Sequence, residues 1–300
     1  MENRDAKTPT LQEKRTMDDK IISLVDGSIY SQSVCEHAAW AARQLETGVE
    51  IMHVIGRREA TDTGDRSGAI ALGARTALLE KLAALDAERS KLLQDQGRAI
   101  IEDAAAILSE NGVKQIEQHL FRGDLVDLFS EREKSAALVV VGKRGEAADF
   151  AGMHLGSNLE RIVRTSNKPV LVASRAFKPI SKVLIAWDGG TSSRKAVDLA
   201  VTSPLLTGLN VDVVYVGRPH AEIEKSLSIA VDKLTEAGHD ASSHIVDGQP
   251  ETALGSYVKD NGVDLVLMGA YGHSRIRSLI IGSTTTEMIR SCLVPVLLVR

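Results

Sequence analysis

Val263-Asp-Leu-Val-Leu-Met-Gly-Ala-Tyr-Gly272, continuing through Gly282-Ser-Thr-Thr-Thr286 to Val294-Pro-Val-Leu-Leu-Val299, reads as strand, glycine loop, helix and strand. Residues 265–268 are continuously apolar and stop at Gly269, the pattern of a parallel strand buried on both faces that ends at a turn. Two residues separate Gly269 from Gly272, nine more separate Gly272 from Gly282, and the hydroxyls of Ser283, Thr284, Thr285 and Thr286 follow directly. Such a hydroxyl run is a helix N-cap signature.

A helix that starts there offers unpaired backbone N–H groups and a positive dipole end, and glycine lets an anion approach without a Cβ in the way. The intervening loop carries His273, Arg275 and Arg277 and no carboxylate, which suits a polyphosphate. The plainer alternative is that any strand-to-helix turn favours glycine followed by a capping hydroxyl.

The unit occurs twice. Residues 21–25 form a short apolar strand ending at Asp26-Gly27-Ser28, followed by a helix over 31–46 and a strand over 49–55. The second half begins with a strand from 183 that ends at Asp188-Gly189-Gly190 and continues through a helix to a strand over 211–216. Asp26 recurs as Asp188 and Val54 as Val216, each 162 residues on, and a constant spacing over two elements marks a repeat. Third strands fall at 114–121 and 241–246, fourth strands at 137–142 and 264–269, and fifth strands at 169–173 and 295–299. Each half is thus five strands alternating with four helices, an α/β pattern that implies a parallel sheet covered on both faces.

The first half carries an insertion over about 57–97, polar at first and strongly helical from Ala74 to a stop at Asn111-Gly112. Leu78, Leu82, Leu85, Leu92 and Leu93 fall roughly on one stripe, and Gly97 is a candidate kink. The helix is too long for one face of a small sheet. Its first turns are expected either to project toward the sister domain or another subunit, or to form a longer surface helix without a partner. Domain boundaries follow: a loose leader over 1–17, a first domain over 18–176, and a second over 177–300, joined by the short linker 175–180.

A formal net charge of −4 without a basic cluster gives no footprint for nucleic acid. The amino terminus is polar, and no apolar run approaches a membrane span, so a cytoplasmic location without membrane contact is expected. Cys35 and Cys292 fall in different halves, in segments that read as helical, and are expected as reduced, packed thiols.

With these motifs in view, both halves resemble universal stress protein domains, and the chain from about Lys20 onward resembles a tandem member of that family. The resemblance implies Rossmann-like domains with strand order 3-2-1-4-5, paired through their fifth strands, and a stress-response or regulatory role. Proline at the start of each fifth strand suits an outer position. In that order ligands bind where the chain reverses between strands 1 and 4. By similarity to nucleotide-binding members, Asp188 and the backbone at Val216 would flank adenine and ribose. Gly269, Gly272, His273 and Arg275 would lie along ribose and phosphates, and Gly282, Ser283 and Thr284 would hold the phosphate tail. The implied ligand is ATP, with or without magnesium, and a homodimer or other homo-oligomer is implied. An aspartate at a strand end also has a structural role, capping the turn that follows it.

The first half departs from the pattern. Its counterparts are Asp26, Val54, Gly142, Gly145, Gly156 and Ser157, but ten residues separate Gly145 from Gly156, and the loop carries Glu146 and Asp149. Those acids cancel Lys143 and Arg144, so the first site is expected to bind weakly or not at all. No P-loop is present, and His273 is the one loop candidate for acid–base work, so a catalytic residue is not assigned. No metal-ligand spacing involves His53, His119 or His154. Three readings remain: a nucleotide-binding regulatory protein, a slow ATP hydrolase using the same pocket, and an interaction scaffold that binds no nucleotide.

Overall fold

The computed structural model describes residues 19–56, 72–143, 156–270 and 282–300. In the first half the strands are β1 (Lys20–Leu24), β2 (Val49–Gly56), β3 (Ile116–Gly123), β4 (Ala136–Gly142) and β5 (Val170–Ala173). The second half supplies β6 (Lys182–Trp187), β7 (Asn210–Val216), β8 (Ala241–Val246), β9 (Leu265–Gly269) and β10 (Val296–Val299). The helices are α1 (Ser31–Leu45), α2 (Leu72–Glu110), α3 (Leu125–Arg132) and α4 (Ser157–Thr165), then α5 (Thr191–Thr202), α6 (Ala221–Glu236), α7 (Pro250–Asp260) and α8 (Ser283–Ser291). The leader, residues 57–71, and both glycine loops at 144–155 and 271–281 lie outside the described residues.

All ten strands join one sheet in the order β3-β2-β1-β4-β5-β10-β9-β6-β7-β8. Each half therefore has its own strands in the order 3-2-1-4-5, parallel throughout. The fifth strands meet antiparallel, with Val172 opposite Val296 and Leu171 opposite Leu297. Pro169 and Pro295 stand just before these strands, where no N–H is needed. Their carbonyls accept from Val139 at 3.0 Å and Val266 at 3.1 Å. These prolines mark strands at the edge of their own five, and the other half covers that edge.

Alternation along the strands sends side chains to two cores, one on each face. Ile21, Ile51, Val140, Leu171, Ile185, Val213, Leu267 and Leu297 point to the face covered by α1, α2, α5 and α6. Ile22, Met52, Val139, Val172, Leu184, Val214, Val266 and Leu298 point to the face covered by α3, α4, α7 and α8. Both cores run across the β5–β10 junction. The linker is anchored as well: Ser33 Oγ donates to the Ser174 carbonyl at 2.7 Å, and the Phe177 ring meets buried His37 edge-on at 5.0 Å.

Local signals set the helix ends. Asp124 caps α3 by accepting from Val126 at 2.9 Å and Asp127 at 3.4 Å, and Pro250 occupies the first turn of α7, where its missing N–H costs nothing. At α8 the structure corrects the sequence reading, because Gly282 rather than Ser283 is the N-cap and Ser283 is the first helical residue. Helix α2 runs unbroken through Gly97. A Cβ there would meet Leu120 Cδ1 at 2.7 Å and His53 Cδ2 at 3.2 Å, so glycine serves close packing, not a kink. Cys35 lies within α1 and Cys292 just past the end of α8; burial raises both thiols, Cys35 to about 12, which keeps them protonated and inert.

One polar cluster recurs beneath the helices of the second face. In the second half Asp212 is 7% exposed and accepts from Lys182 Nζ at 2.8 Å, Tyr257 Oη at 2.8 Å and Ser242 Oγ at 3.0 Å. Burial alone would raise this carboxyl, but the bonds from Lys182, Tyr257 and Ser242 outweigh it and hold the group below its usual range. Burial and Asp212 together raise the Tyr257 phenol. The depressed carboxyl contributes stability that is fully present above its unfolded pKa of about 3.9 and is lost as pH falls through the lower folded value. Asp212→Asn is expected to cost about 1–3 kcal/mol in urea unfolding at neutral pH. The gap from wild type should narrow below about pH 4. A gap of the same size well below that pH would remove the ionised carboxylate from this account.

Candidate functional site

The β6 ladder fixes which residues meet at the carboxyl edge of the second half. Trp187 at the end of β6 pairs with Tyr215, so Asp188 emerges level with Val216. On its other side Ile185 pairs with Leu267, which brings Trp187 level with Gly269. Asp188, Val216 and Gly269, 81 residues apart at the extremes of sequence, therefore converge at the point where the chain reverses between strands 1 and 4.

The Asp188 carboxylate organises the turn that follows it. Its Oδ1 accepts from the Gly190 N–H at 2.8 Å and from Ser193 Oγ at 2.6 Å, and Gly189 takes a φ of 72° between them. The first half repeats the device: Asp26 Oδ1 accepts from the Ser28 N–H at 3.0 Å and from Ser31 Oγ at 3.5 Å, and Gly27 has a φ of 75°. The turn-capping role of both aspartates is thus real, and it holds the carboxylate at the mouth of the crevice.

Gly269 is constrained from the other direction. A Cβ at this position would sit 2.3 Å from Ser192 Cβ, so glycine lets the first turn of α5 press onto the end of β9. The loop that follows is closed at its base. The Gly282 N–H donates to the Ala270 carbonyl at 3.4 Å, and Thr285 Oγ1 donates to the Gly269 carbonyl at 3.2 Å. This tether sets the amino end of α8 beside the end of β9. Gly282 has no side chain to cap that helix, whose first N–H groups and positive dipole end lie at this edge. Ser283 is exposed and Thr284 half-buried at this end. Gly156 takes nearly the same backbone conformation before α4, with φ −55° and ψ 130° against −56° and 144° at Gly282.

Gly145, Gly272, His273 and Arg275 lie outside the described residues. Asp26, Val54 and Gly142 are brought together in the first half by the same ladders, since Leu24 pairs with both Met52 and Val141. Lys143, next to Gly142, reaches across the junction and donates from Nζ to the Cys292 carbonyl at 2.6 Å.

An open cleft of about 340 Å³ lies elsewhere, along α7 at the end of β8, lined by Asp247, Gly248, Thr252, Ser256 and Asp260 among others. Its acids disfavour an anion. On the first half's counterpart of the Asp212 cluster, Glu50, Glu117 and His119 place their ligand atoms within 4.8 Å of one another. Arg132 already pairs with Glu50 at 3.0 Å and Lys20 with Glu117, so the two acids form an ion-pair network, while buried His119 Nε2 lies 3.8 Å from each carboxylate without a hydrogen-bond partner among the described residues. Sequence reasoning missed both clusters. The signal was present, because Lys20 and Lys182, and Glu50 and Asp212, share the 162-residue spacing of the aspartates.

Comparison with known proteins agrees with this geometry. The model of the universal stress protein family matches twice, over residues 17–174 and 179–300. A universal stress protein of Synechocystis is 36% identical over 284 residues, covering 93% of this chain and 99% of that protein. One from Mycobacterium tuberculosis is 22% identical and covers 93% of this chain and 94% of that protein. The crystal structure of a universal stress protein from Archaeoglobus fulgidus superposes with a TM-score of 0.71 at 18% identity, over 95% of this chain and 99% of that one.

Gly269→Ala is expected to destabilise the chain by about 1–3 kcal/mol through its overlap with Ser192. Adding Ser192→Gly should recover part of that loss in a double-mutant cycle read by urea unfolding. Additive losses would mean that the two positions are not in contact.

Proposed function

The chain belongs to the universal stress protein family as a tandem of two such domains, and we propose that its second domain, residues 177–300, binds an adenine nucleotide, ATP with or without magnesium. The observation that carries this reading is the open amino end of α8, tethered through Gly282 and Ala270 beside the strand end where Asp188 and Val216 also finish.

In this assignment the N–H groups at Gly282, Ser283 and Thr284 and the hydroxyls of Ser283 and Thr284 hold the phosphate tail. Neutral donors and a helix dipole suit that task without a P-loop lysine. The backbone at Val216 flanks the base. Asp188, whose carboxylate is oriented by its turn, is assigned to the ribose. Gly269 keeps the floor of the crevice low. Gly272, His273 and Arg275 belong to the same loop by sequence and would add positive charge along the phosphates. The first domain, residues 18–176, is assigned weak or no binding, because Glu146 and Asp149 stand in its loop where the second has Arg275 and Arg277. The role that follows is regulatory, within a cytoplasmic stress response: a ligand that binds only the folded second domain stabilises it by mass action.

Calorimetric titration of the full chain with magnesium ATP should give about one site per chain. Gly282→Val, which puts a branched side chain over the helix start, should weaken binding about ten-fold or more, whereas Gly156→Val should leave it unchanged. Equal loss from both variants would place nucleotide in both domains. No titration heat and no ligand-induced rise in melting temperature would leave the scaffold reading.

A further inference from the structure

Helix α2 is 39 residues long, yet only its second part rests on the sheet. Contact begins at Ser90, whose carbonyl and Oγ accept from Arg122 Nη2 at 2.9 and 2.6 Å, and continues through buried Gly97, Ile101, Ala104 and Leu108. Every residue from 78 to 89 is exposed. The part before Ser90 is an arm about 27 Å long at 1.5 Å per residue.

The arm is apolar on one side. Leu78, Leu79, Leu82 and Leu85 are 41, 56, 43 and 56% exposed, and Leu92 beyond them is 64% exposed. Leu78, Leu82, Leu85 and Leu92 are spaced four, three and seven apart, which puts them on one heptad seam with Leu79 at its border. A solitary helix of this length is marginal in water, and a contiguous row of exposed leucines marks a face that meets something.

Among the described residues its own chain does not supply the cover. Helix α2 lies over β2 and β3 at the outer end of the sheet, and the nearest strand of the second half, β10, is four strands from β2, about 19 Å away. Residues 57–71 contain a single apolar side chain larger than alanine, Ile70. A lipid surface is disfavoured because Glu80, Asp86 and Glu88 interleave with the leucines.

A second copy of the same arm does fit. In an antiparallel pair centred between positions 82 and 85, Leu82 lies opposite the partner's Leu85, and Leu85 opposite the partner's Leu82. Leu78 packs under the aliphatic stem of the partner's Arg89. On the flank Lys81 faces the partner's Glu88, and two-fold symmetry makes that ion pair twice. The antiparallel arrangement also opposes the two helix dipoles and leaves the two folded bodies at opposite ends. We propose that residues 72–92 form a dimerisation arm through which two copies of this tandem chain associate by an antiparallel helix pair.

Sedimentation equilibrium of the full chain at micromolar concentration should give a dimer. Leu82→Glu combined with Leu85→Glu should weaken association by about 100-fold or more, with unchanged far-ultraviolet circular dichroism, because neither side chain is buried within the protomer. An equimolar mixture of Leu78→Cys and Arg89→Cys chains should form a disulfide-linked heterodimer on oxidation, while Leu78→Cys alone should not cross-link. A monomeric wild type, or a dimer that survives the two glutamates, would overturn the proposal. Efficient cross-linking of Leu78→Cys with itself would overturn the antiparallel arrangement.

Discussion

Strand β6 hydrogen-bonds to β7 on one side and to β9 on the other, and because all three run parallel, their carboxyl ends finish at one edge. Crossover helices leave the sheet in opposite directions from β6 and β9, so the carboxyl edge lies open between α5 and α8 among the described residues. Every feature of the candidate site descends from that pairing. A shift of one residue in either ladder would turn Asp188 or Gly269 to the other face and bring Trp187 or Met268 toward the crevice.

The turn after β6 is stiffened by its own carboxylate, and the loop after β9 is tied at its base by Gly282 and Thr285. Glycine plays two physically different parts here. Gly189 supplies a positive φ, and Gly269 supplies the absence of a Cβ where α5 comes within contact distance. Both keep side chains away from the carboxyl edge between β6 and β9. The antiparallel contact of β5 with β10 then joins two such edges through continuous cores, so that order in one half supports order in the other.

Much of this was legible in the sequence because it depends on local pattern. Apolar runs that stop at glycine gave the strands, the 162-residue spacing gave the repeat, and the family's strand order followed from the resemblance those motifs carry. Other features depend on tertiary contact and leave a weaker trace. Gly97 looked like a kink because helix propensity disfavours glycine, but tight packing against Leu120 overrides propensity. Ser283 looked like an N-cap because hydroxyls usually take that position, whereas Gly282 takes it here and leaves the helix end open. The buried clusters around Glu50 and Asp212 were invisible to a search by type, since an acid in a strand signals exposure unless its cationic partner on another element, Arg132 for Glu50 and Lys182 for Asp212, is seen.

The two halves share their framework and differ where chemistry is decided. Asp26 and Asp188 make the same turn, Gly156 and Gly282 enter their helices with the same backbone geometry, and the buried acids Glu50 and Asp212 occupy the same rung of the ladder. A framework duplicated this closely constrains position, not charge. The loop between Gly145 and Gly156 gains a residue and two acids while its counterpart keeps two arginines, and the crossover after β2 grows into α2 while the crossover after β7 stays at the 16 residues of α6. Insertion and charge reversal both fall between strands and leave the strand ladders the same in the two halves. The first half thereby gains a helix that runs past the sheet, while the second keeps Arg275 and Arg277 between its glycines.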